Sequence, residues 1–394
     1  MGGRKRVTEL AQSSTAPTVL FAVTEDWYFW SHRQRLALFL QSKGWDVSLA
    51  TRFNRHADRC AELGFHCIAL PFERSLRHPL RDLSAAIGLL RVVRATRPDL
   101  VHLVSHKPIL LSALAIILNP QTQFVAAFTG MGYLFSSTDR RAWWFQRSVV
   151  AVLRLILRRP NVSVLVQNEE DLQLIETEQI GRAGSSVMIQ GVGVDTQHFS
   201  FCEIDFGIDP IVVLPARLIR DKGIEEFVEA ARVVKRTHPN CRFVLVGADD
   251  PDNPAAIART VVEQWIAQGS LEWWGQRDDM PAVYAQARIV CLPSYREGLP
   301  KVLVEAAACG RPLIASNVAG CREVCRDGVN GVLVEPRDAS QLAEAITSLL
   351  ATPDLQRRYG TAGRDLVEEY FSVEHIGAQT LQYYRELLDT KRSV

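Results

Sequence analysis

The feature that most constrains this chain is an alternation, run through twice, of short β-branched or aliphatic segments with longer segments of helical periodicity. Strands are expected at Thr18–Val23, Asp46–Ala50, His66–Leu70, Leu100–Val104, Gln123–Ala127, Val162–Val166 and Val187–Ile189. Between them, helices are expected near His32–Lys43, Ala57–Leu63, Leu76–Thr96, Pro108–Leu118, Ala142–Arg158 and Glu169–Ile175. The pattern restarts with strands at Ile211–Pro215, Arg242–Gly247, Leu271–Trp273, Ile289–Leu292, Pro312–Ala315 and Gly331–Val334. Such alternation demands parallel sheets with crossover helices, an α/β architecture. At 394 residues the chain suits two cores of ordinary size. The join falls in "GVGVDTQHFSFCEIDFGIDP", Gly191 to Pro210, where Gly, Asp and Pro break both patterns. The expected organisation is a tail over residues 1–16, doubly wound domains over 17–195 and 196–370, and a closing segment, 371–394. Its helix, Val373–Leu388, either stays on the second domain or crosses back to the first. A ligand is expected in a cleft between the carboxyl ends of the two sheets.

Composition narrows the class. Hydrophobic residues make up 47% and charged residues 23%, as in a soluble globular protein. Charge is uneven: through Pro160 there are 22 Lys+Arg against 10 Asp+Glu, and thereafter 23 against 34. A basic half joined to an acidic half suits an anionic partner on the first half, although chance patterning gives the same count. The eight cysteines form no C-x-x-C pair and read as reduced core residues. The opening "MGGRKRVTELAQSSTAP" has no apolar signal core and reads as a disordered tail, and the longest apolar run, Ile109–Leu118, is too short to span a bilayer. These features point to a cytoplasmic enzyme. There is no P-loop, and Gly191-x-Gly193 lacks the rest of a dinucleotide fingerprint.

Two stretches carry chemistry. In "YREGLPKVLVEAAACGRPLIAS", Pro300 suits the first position of a helix over Lys301–Cys309 that Gly310 and Pro312 end. Glu297 is then a loop residue and Glu305 lies in the second turn, so two carboxylates eight apart can approach one ligand. The free amides near Lys301 and Val302 offer an anion site. The same residues also suit an ordinary helix with acidic groups favouring its dipole. In "PARLIRDKGIEEFVEAA", Arg217 and Lys222 flank a tight turn at Gly223 between a strand and an amphipathic helix. Two cations there can hold a diphosphate without a metal, or can equally form a solvated basic turn. Asp249-Asp250 and Asp278-Asp279 lie in polar loops, where solvated turns are expected.

Together, Arg217-x-x-x-x-Lys222-Gly223 and Glu297-Gly298-Leu299-Pro300-x-x-x-x-Glu305 resemble the donor site of the retaining glycosyltransferases of family 4, which have the GT-B fold. The likeness extends through "NVAGCREVCRDGVNGVLVEPRD" and "GVGVDTQHF". "SHRQRLA", "HLVSHKP" and "FTGMGYLF" look like the bacterial branch that builds capsule, O-antigen and related lipid-linked glycans. The resemblance implies two Rossmann-like domains in which Arg217 and Lys222 bind the donor diphosphate, Glu297 contacts the transferred sugar and Glu305 holds the ribose. It also implies no cofactor and no metal, a nucleotide-sugar donor, expected to be a UDP-sugar, and a polyprenyl-diphosphate-linked acceptor. No nucleic acid partner is expected. His32, Arg33 and Lys107 are the candidate acceptor contacts.

One departure stands out. Where many members have a Gly-Gly loop after the first strand, this chain has "TEDWYFWSHRQR", with Trp27, Tyr28, Phe29 and Trp30 in its place. "RSLRHPLRDL" and "RRAWWFQRSVVAVLRLILRR" set arginines beside Trp143, Trp144 and Phe145, a composition suited to the anionic inner face of the cytoplasmic membrane or to a half-buried helix. The expected activity is transfer of a sugar, an N-acetylhexosamine by the family branch, with retention. A nucleotide-sugar epimerase of similar architecture and a non-catalytic nucleotide-binding subunit are the alternatives.

Overall fold

The computed structural model describes residues 16–73, 78–131, 140–251 and 253–392. The opening tail, the arginines of the stretch around residues 74–77, all of "GYLF" and the side chains of Trp143, Trp144 and Phe145 lie outside the described residues. Two compact units are present. One runs to Val192 and takes up the chain again from Ile376; the other is Gly193–His375.

In the first unit, β1 (Thr18–Glu25), β2 (Asp46–Arg52), β3 (His66–Ala69), β4 (Leu100–Val104), β5 (Gln123–Ala127), β6 (Val162–Val166) and β7 (Ser186–Met188) form a parallel sheet in the order β3-β2-β1-β4-β5-β6-β7. The strand order reverses between β1 and β4, where Phe21 pairs with His102. Side chains leave a strand on alternate faces, and β1 shows the consequence. Leu20 and Ala22 belong to one core; Val19, Phe21 and Val23 belong to the other. The second of these cores also takes Ile376, Leu381 and Tyr384 from the closing helix, Val373–Arg392.

The aromatic stretch after β1 is not a loop. The strand continues to Glu25, and Asp26–His32 is a helix followed at once by another, Gln34–Ser42. Its start is anchored by Asp26, whose Oδ2 accepts the backbone N–H groups of Asn54, Arg55 and His56 at 2.8, 2.7 and 2.8 Å. Phe29 is fully buried, edge-on to Phe21 and Phe65. Trp30 stacks on His56 and Tyr28 on His32. Helical spacing therefore sends Phe29 into the core and leaves Tyr28 and Trp30 half-buried at its margin, a division that composition alone could not reveal.

In the second unit, β8 (Ile211–Pro215), β9 (Arg242–Val246), β10 (Glu272–Trp273), β11 (Ile289–Leu292), β12 (Leu313–Ser316) and β13 (Gly331–Val334) form a parallel sheet in the order β10-β9-β8-β11-β12-β13. Its four inner strands, β9, β8, β11 and β12, are buried on both faces, as crossover helices require. The reversal lies between β8 and β11, the switch point at whose carboxyl ends a ligand crevice is expected.

Because Phe29 fills the core rather than a ligand loop, Phe29→Ala is expected to cost about 3 kcal/mol or more of stability. A urea titration followed by far-ultraviolet circular dichroism should show the midpoint fall; an unchanged midpoint would return the aromatic stretch to the surface.

Candidate functional site

The second unit carries the candidate site. As the chain leaves β8 it passes Arg217, makes a 3-10 turn over Arg220–Lys222 and enters the helix Ile224–Val234 through Gly223. Gly223 has φ 69° and ψ 32°, and a Cβ built on it would lie 2.1 Å from the Pro293 carbonyl oxygen. Only glycine permits that approach of the β8 turn to the loop leaving β11. Two further bonds tie the loops together. The Tyr295 N–H donates to the Asp221 carbonyl at 2.9 Å, and Arg296 reaches the Asp221 carboxylate at 3.1 Å. Glu297 is thereby set beside Lys222, with Oε1 2.5 Å from the ammonium nitrogen.

Arg217 does not share that pair. Its guanidinium holds the Asp250 carboxylate at 2.6 Å, with Arg217 half exposed and Asp250 buried. The expected solvated turn at Asp249-Asp250 is corrected here: Asp250 is a buried support under a proposed phosphate-binding arginine. Asp279, in contrast, makes an exposed pair with Arg277 at 2.5 Å. Gly247 matters for the same reason as Gly223, since its Cβ would lie 2.0 Å from the Ala216 carbonyl oxygen.

The helix on the other side of the crevice is Lys301–Ala308, with Pro300 as its cap at φ −77° and ψ 101°. Pro300 thus precedes the first helical residue, one position from expectation, and Cys309 is the cap at the other end. Gly298 packs where Gly320 leaves room, because a Cβ on Gly320 would stand 2.3 Å from the Gly298 carbonyl oxygen. Leu299 packs half-buried against the core. Glu305 is buried, which makes it part of the core as well as of the candidate site. Its Oε1 is ion-paired with Lys301, and its Oε2 accepts the Tyr284 hydroxyl at 3.1 Å. Burial, with the Glu305 charge second, pushes the Tyr284 phenol well up. Burial likewise raises the Cys321 thiol, with Glu297 adding to the rise and Lys222 opposing it. Cys321 follows Gly320, which packs against the carbonyls of Gly298 and Glu297.

The acceptor candidates in the first unit have other environments. Arg33 is buried among Tyr28, Tyr384 and His102, and desolvation lowers its pKa. Lys107 is buried in an ion pair with Asp82 at 2.6 Å. Both were expected to reach an acceptor; Lys107 instead spends its charge on Asp82, while the buried Arg33 has Nε and Nη2 without a hydrogen-bond partner among the described residues. His32 remains half-buried, its Nδ1 2.6 Å from the Ser31 hydroxyl. At the carboxyl end of β4, Ser105 takes φ 73° and ψ 165°, a strained region for a side-chain-bearing residue. Next to it, burial lowers the His106 pKa to about 4. Ser105 and His106 lie within "HLVSHKP" and Asp250 in the Asp249-Asp250 pair, yet no site role was expected of them, and nothing in the sequence marked Tyr284.

Comparison with known proteins agrees with this architecture. The glycosyl transferase 4-like family matches residues 18–161, and glycosyl transferases group 1 matches residues 209–352. The chain belongs to the GT-B glycosyltransferases that this pair describes. It is 37% identical over 198 residues to alpha-maltose-1-phosphate synthase of Mycolicibacterium smegmatis, a match covering 46% of this chain and half the length of that relative. It is 24% identical over 315 residues to the N,N'-diacetylbacillosaminyl-diphospho-undecaprenol alpha-1,3-N-acetylgalactosaminyltransferase of Campylobacter jejuni, covering 77% of this chain and 81% of that one. The fold is shared with Anabaena HepE, solved with UDP and glucose, at a TM-score of 0.74 and 17% identity, over 93% of this chain and 98% of that one.

Two left-handed glycines separate strain from close approach. Gly44 has φ 84° with nothing within 4 Å of a built Cβ, whereas Gly223 meets a carbonyl. Gly44→Ala should cost about 1 kcal/mol, and Gly223→Ala clearly more, with loss of turnover. Thermal melts of both variants beside an activity assay check this; equal costs would mean the Pro293 contact is loose.

Proposed function

We propose that this chain transfers a sugar, with retention, from a UDP-sugar to a polyprenyl-diphosphate-linked saccharide at the inner face of the cytoplasmic membrane, in cell-surface glycan synthesis. The observation that carries this reading is the assembly of Lys222, Glu297 and a buttressed Arg217 at the carboxyl ends of β8 and β11. The Campylobacter relative, whose name specifies an N-acetylgalactosamine transferred to a lipid-linked acceptor, supports an N-acetylhexosamine and a polyprenyl diphosphate. UDP in the Anabaena structure supports the nucleotide.

The chemistry follows from charge. Cleaving the sugar–phosphate bond leaves a nucleoside diphosphate whose negative charge grows in the transition state. Lys222 and Arg217 are cations placed to stabilise it, the role a divalent metal plays elsewhere. A diphosphate on Lys222 releases Glu297 to accept a hydroxyl of the transferred sugar, while Glu305 holds the ribose. Glu297→Gln should therefore lower kcat by on the order of a hundredfold, about 3 kcal/mol, and Glu305→Gln should chiefly raise the donor KM. Wild-type turnover should persist in excess chelator. Steady-state kinetics with a UDP-sugar panel and a lipid-linked acceptor extract measure all three. Wild-type constants in both variants, or magnesium-dependent recovery from the chelator, would count against the reading.

Membrane docking is the second element. Among the described residues of the first unit, the large exposed apolar side chains are Leu80 and Leu83 on the helix Pro79–Thr96, Leu114, Ile117 and Leu118 on Ala113–Leu118, and Val152 and Leu155 on Arg140–Leu157. The short helix Ala113–Leu118 packs against each of the other two. No helix among the described residues is long and apolar enough to cross a membrane. The arginines at the end of Arg140–Leu157 are partly committed already: Arg154 donates to the Glu178 carbonyl and Arg158 to the Gln179 carbonyl, each at 2.8 Å. The leucines are the cleaner probe. Leu80→Asp with Leu155→Asp should weaken sedimentation with anionic vesicles about tenfold or more, since each buried leucine contributes about 1–2 kcal/mol. Unaltered sedimentation would move the membrane face elsewhere.

A further inference from the structure

Glu305 cannot rotate freely, and the two groups that hold it come from different places. Lys301, one turn earlier on the same helix, takes Oε1. Tyr284, from the separate helix Met280–Gln286, takes Oε2 at 3.1 Å. The Tyr284 ring is fully buried beside Phe199, with centroids 6.2 Å apart. The Val302 carbonyl lies 3.2 Å from the same hydroxyl. A phenol has one proton to give, and an ionised carboxylate is the stronger acceptor.

We propose that Tyr284 is a positioning residue that orients the Glu305 carboxylate toward the two vicinal hydroxyls of a nucleotide ribose. The proposal rests on the reading of Glu305 given above. An ionised carboxylate offers roughly four lone-pair sites. Lys301 and Tyr284 use one on each oxygen, and the remaining one on each oxygen can accept one hydroxyl, a match to a 2′,3′-diol. Loss of the Tyr284 donor frees Oε2 to turn, and the second ribose hydroxyl loses its partner. Because burial and the Glu305 charge both raise the phenol's pKa, Tyr284 remains a donor across the working pH range. A purely structural Tyr284 would support the fold without any effect on how the site distinguishes ribose from deoxyribose.

The experiment is isothermal titration of the full chain with UDP and with 2′-deoxy-UDP. Wild type should prefer UDP about tenfold, as expected for one hydrogen bond to a charged group. Glu305→Gln should bring the two ligands to near-equal affinity. Tyr284→Phe should cut the preference to about threefold or less while changing the affinity for 2′-deoxy-UDP by less than about twofold. A 4-fluorophenylalanine at position 284 fills the place of the hydroxyl without its proton, so it serves where Tyr284→Phe leaves a void and does not fold. It donates nothing to Glu305 and should also lower the preference. If wild type shows no preference, or Glu305→Gln retains it, the ribose reading and this proposal both fall. If Glu305→Gln loses the preference while Tyr284→Phe, or the fluorinated residue in its stead, keeps it, only the proposal falls. Equal weakening of both ligands by Tyr284→Phe would make Tyr284 merely structural and overturn it as well.

Discussion

The carboxyl edge of the second sheet depends on one backbone contact, the seating of Gly223 against the Pro293 carbonyl. Everything charged in the crevice is downstream of it. The contact brings the turn after β8 within reach of the loop after β11, and only then can the Tyr295 N–H find the Asp221 carbonyl and Lys222 find Glu297. Gly247 and Gly320 repeat the device on either side, each with a neighbouring carbonyl where a Cβ would have to be. Three such contacts fasten the segments leaving β8, β9, β11 and β12 main chain to main chain. Side chains that would otherwise have to hold the loops together are left available for a ligand.

The charges that remain are only partly out of water, and this sets their character. Lys222 keeps 20% of its side-chain surface and Glu297 keeps 11%, so each has given up much of its hydration and is compensated by the other. A partly desolvated ammonium ion strongly favours a second anion, because little solvent remains to be stripped away. Arg217 is arranged differently. Its own side chain is 41% exposed while Asp250 behind it is 7% exposed. The carboxylate fixes one side of the guanidinium and leaves the rest of the planar fork facing outward, the geometry that suits bidentate phosphate recognition.

Much of this was legible in advance, for reasons that differ by element. The strands of both sheets are continuous apolar runs bounded by turn residues, and periodicity finds such runs readily. The Arg217-to-Gly223 and Glu297-to-Glu305 stretches announce themselves because their glycines and prolines have few other uses. What the sequence hid was tertiary. Asp250 lies 33 positions from Arg217 and Tyr284 lies 21 from Glu305, and nothing local marks either as a partner. The helix Asp26–His32 was hidden for another reason. Its start depends on Asp26 capturing three backbone N–H groups from the loop after β2, a contact that local propensity does not register. The burial of Glu305 belongs to the same class, since a helix pattern shows which face is apolar but not whether a carboxylate on its margin finds two donors.

The two sheets share one topology at their reversal points, yet they treat charge in opposite ways. In the first unit, the groups near the carboxyl ends of β1 and β4 are internally committed: Asp26 to backbone amides, Glu25 to Arg52 at 2.5 Å, and Lys107 to Asp82. Arg33 is buried among rings, and its Nε and Nη2 have no hydrogen-bond partner among the described residues. An edge of this kind offers shape and strained backbone, as at Ser105, more than free charge. The second unit keeps half-exposed cations at the equivalent edge, backed by buried carboxylates. Since a diphosphate is recognised chiefly by charge and a saccharide chiefly by shape and neutral hydrogen bonds, the same fold used twice can serve two different ligands. Duplicating the sheet supplies the scaffold; the difference lies in which charges the core has already consumed.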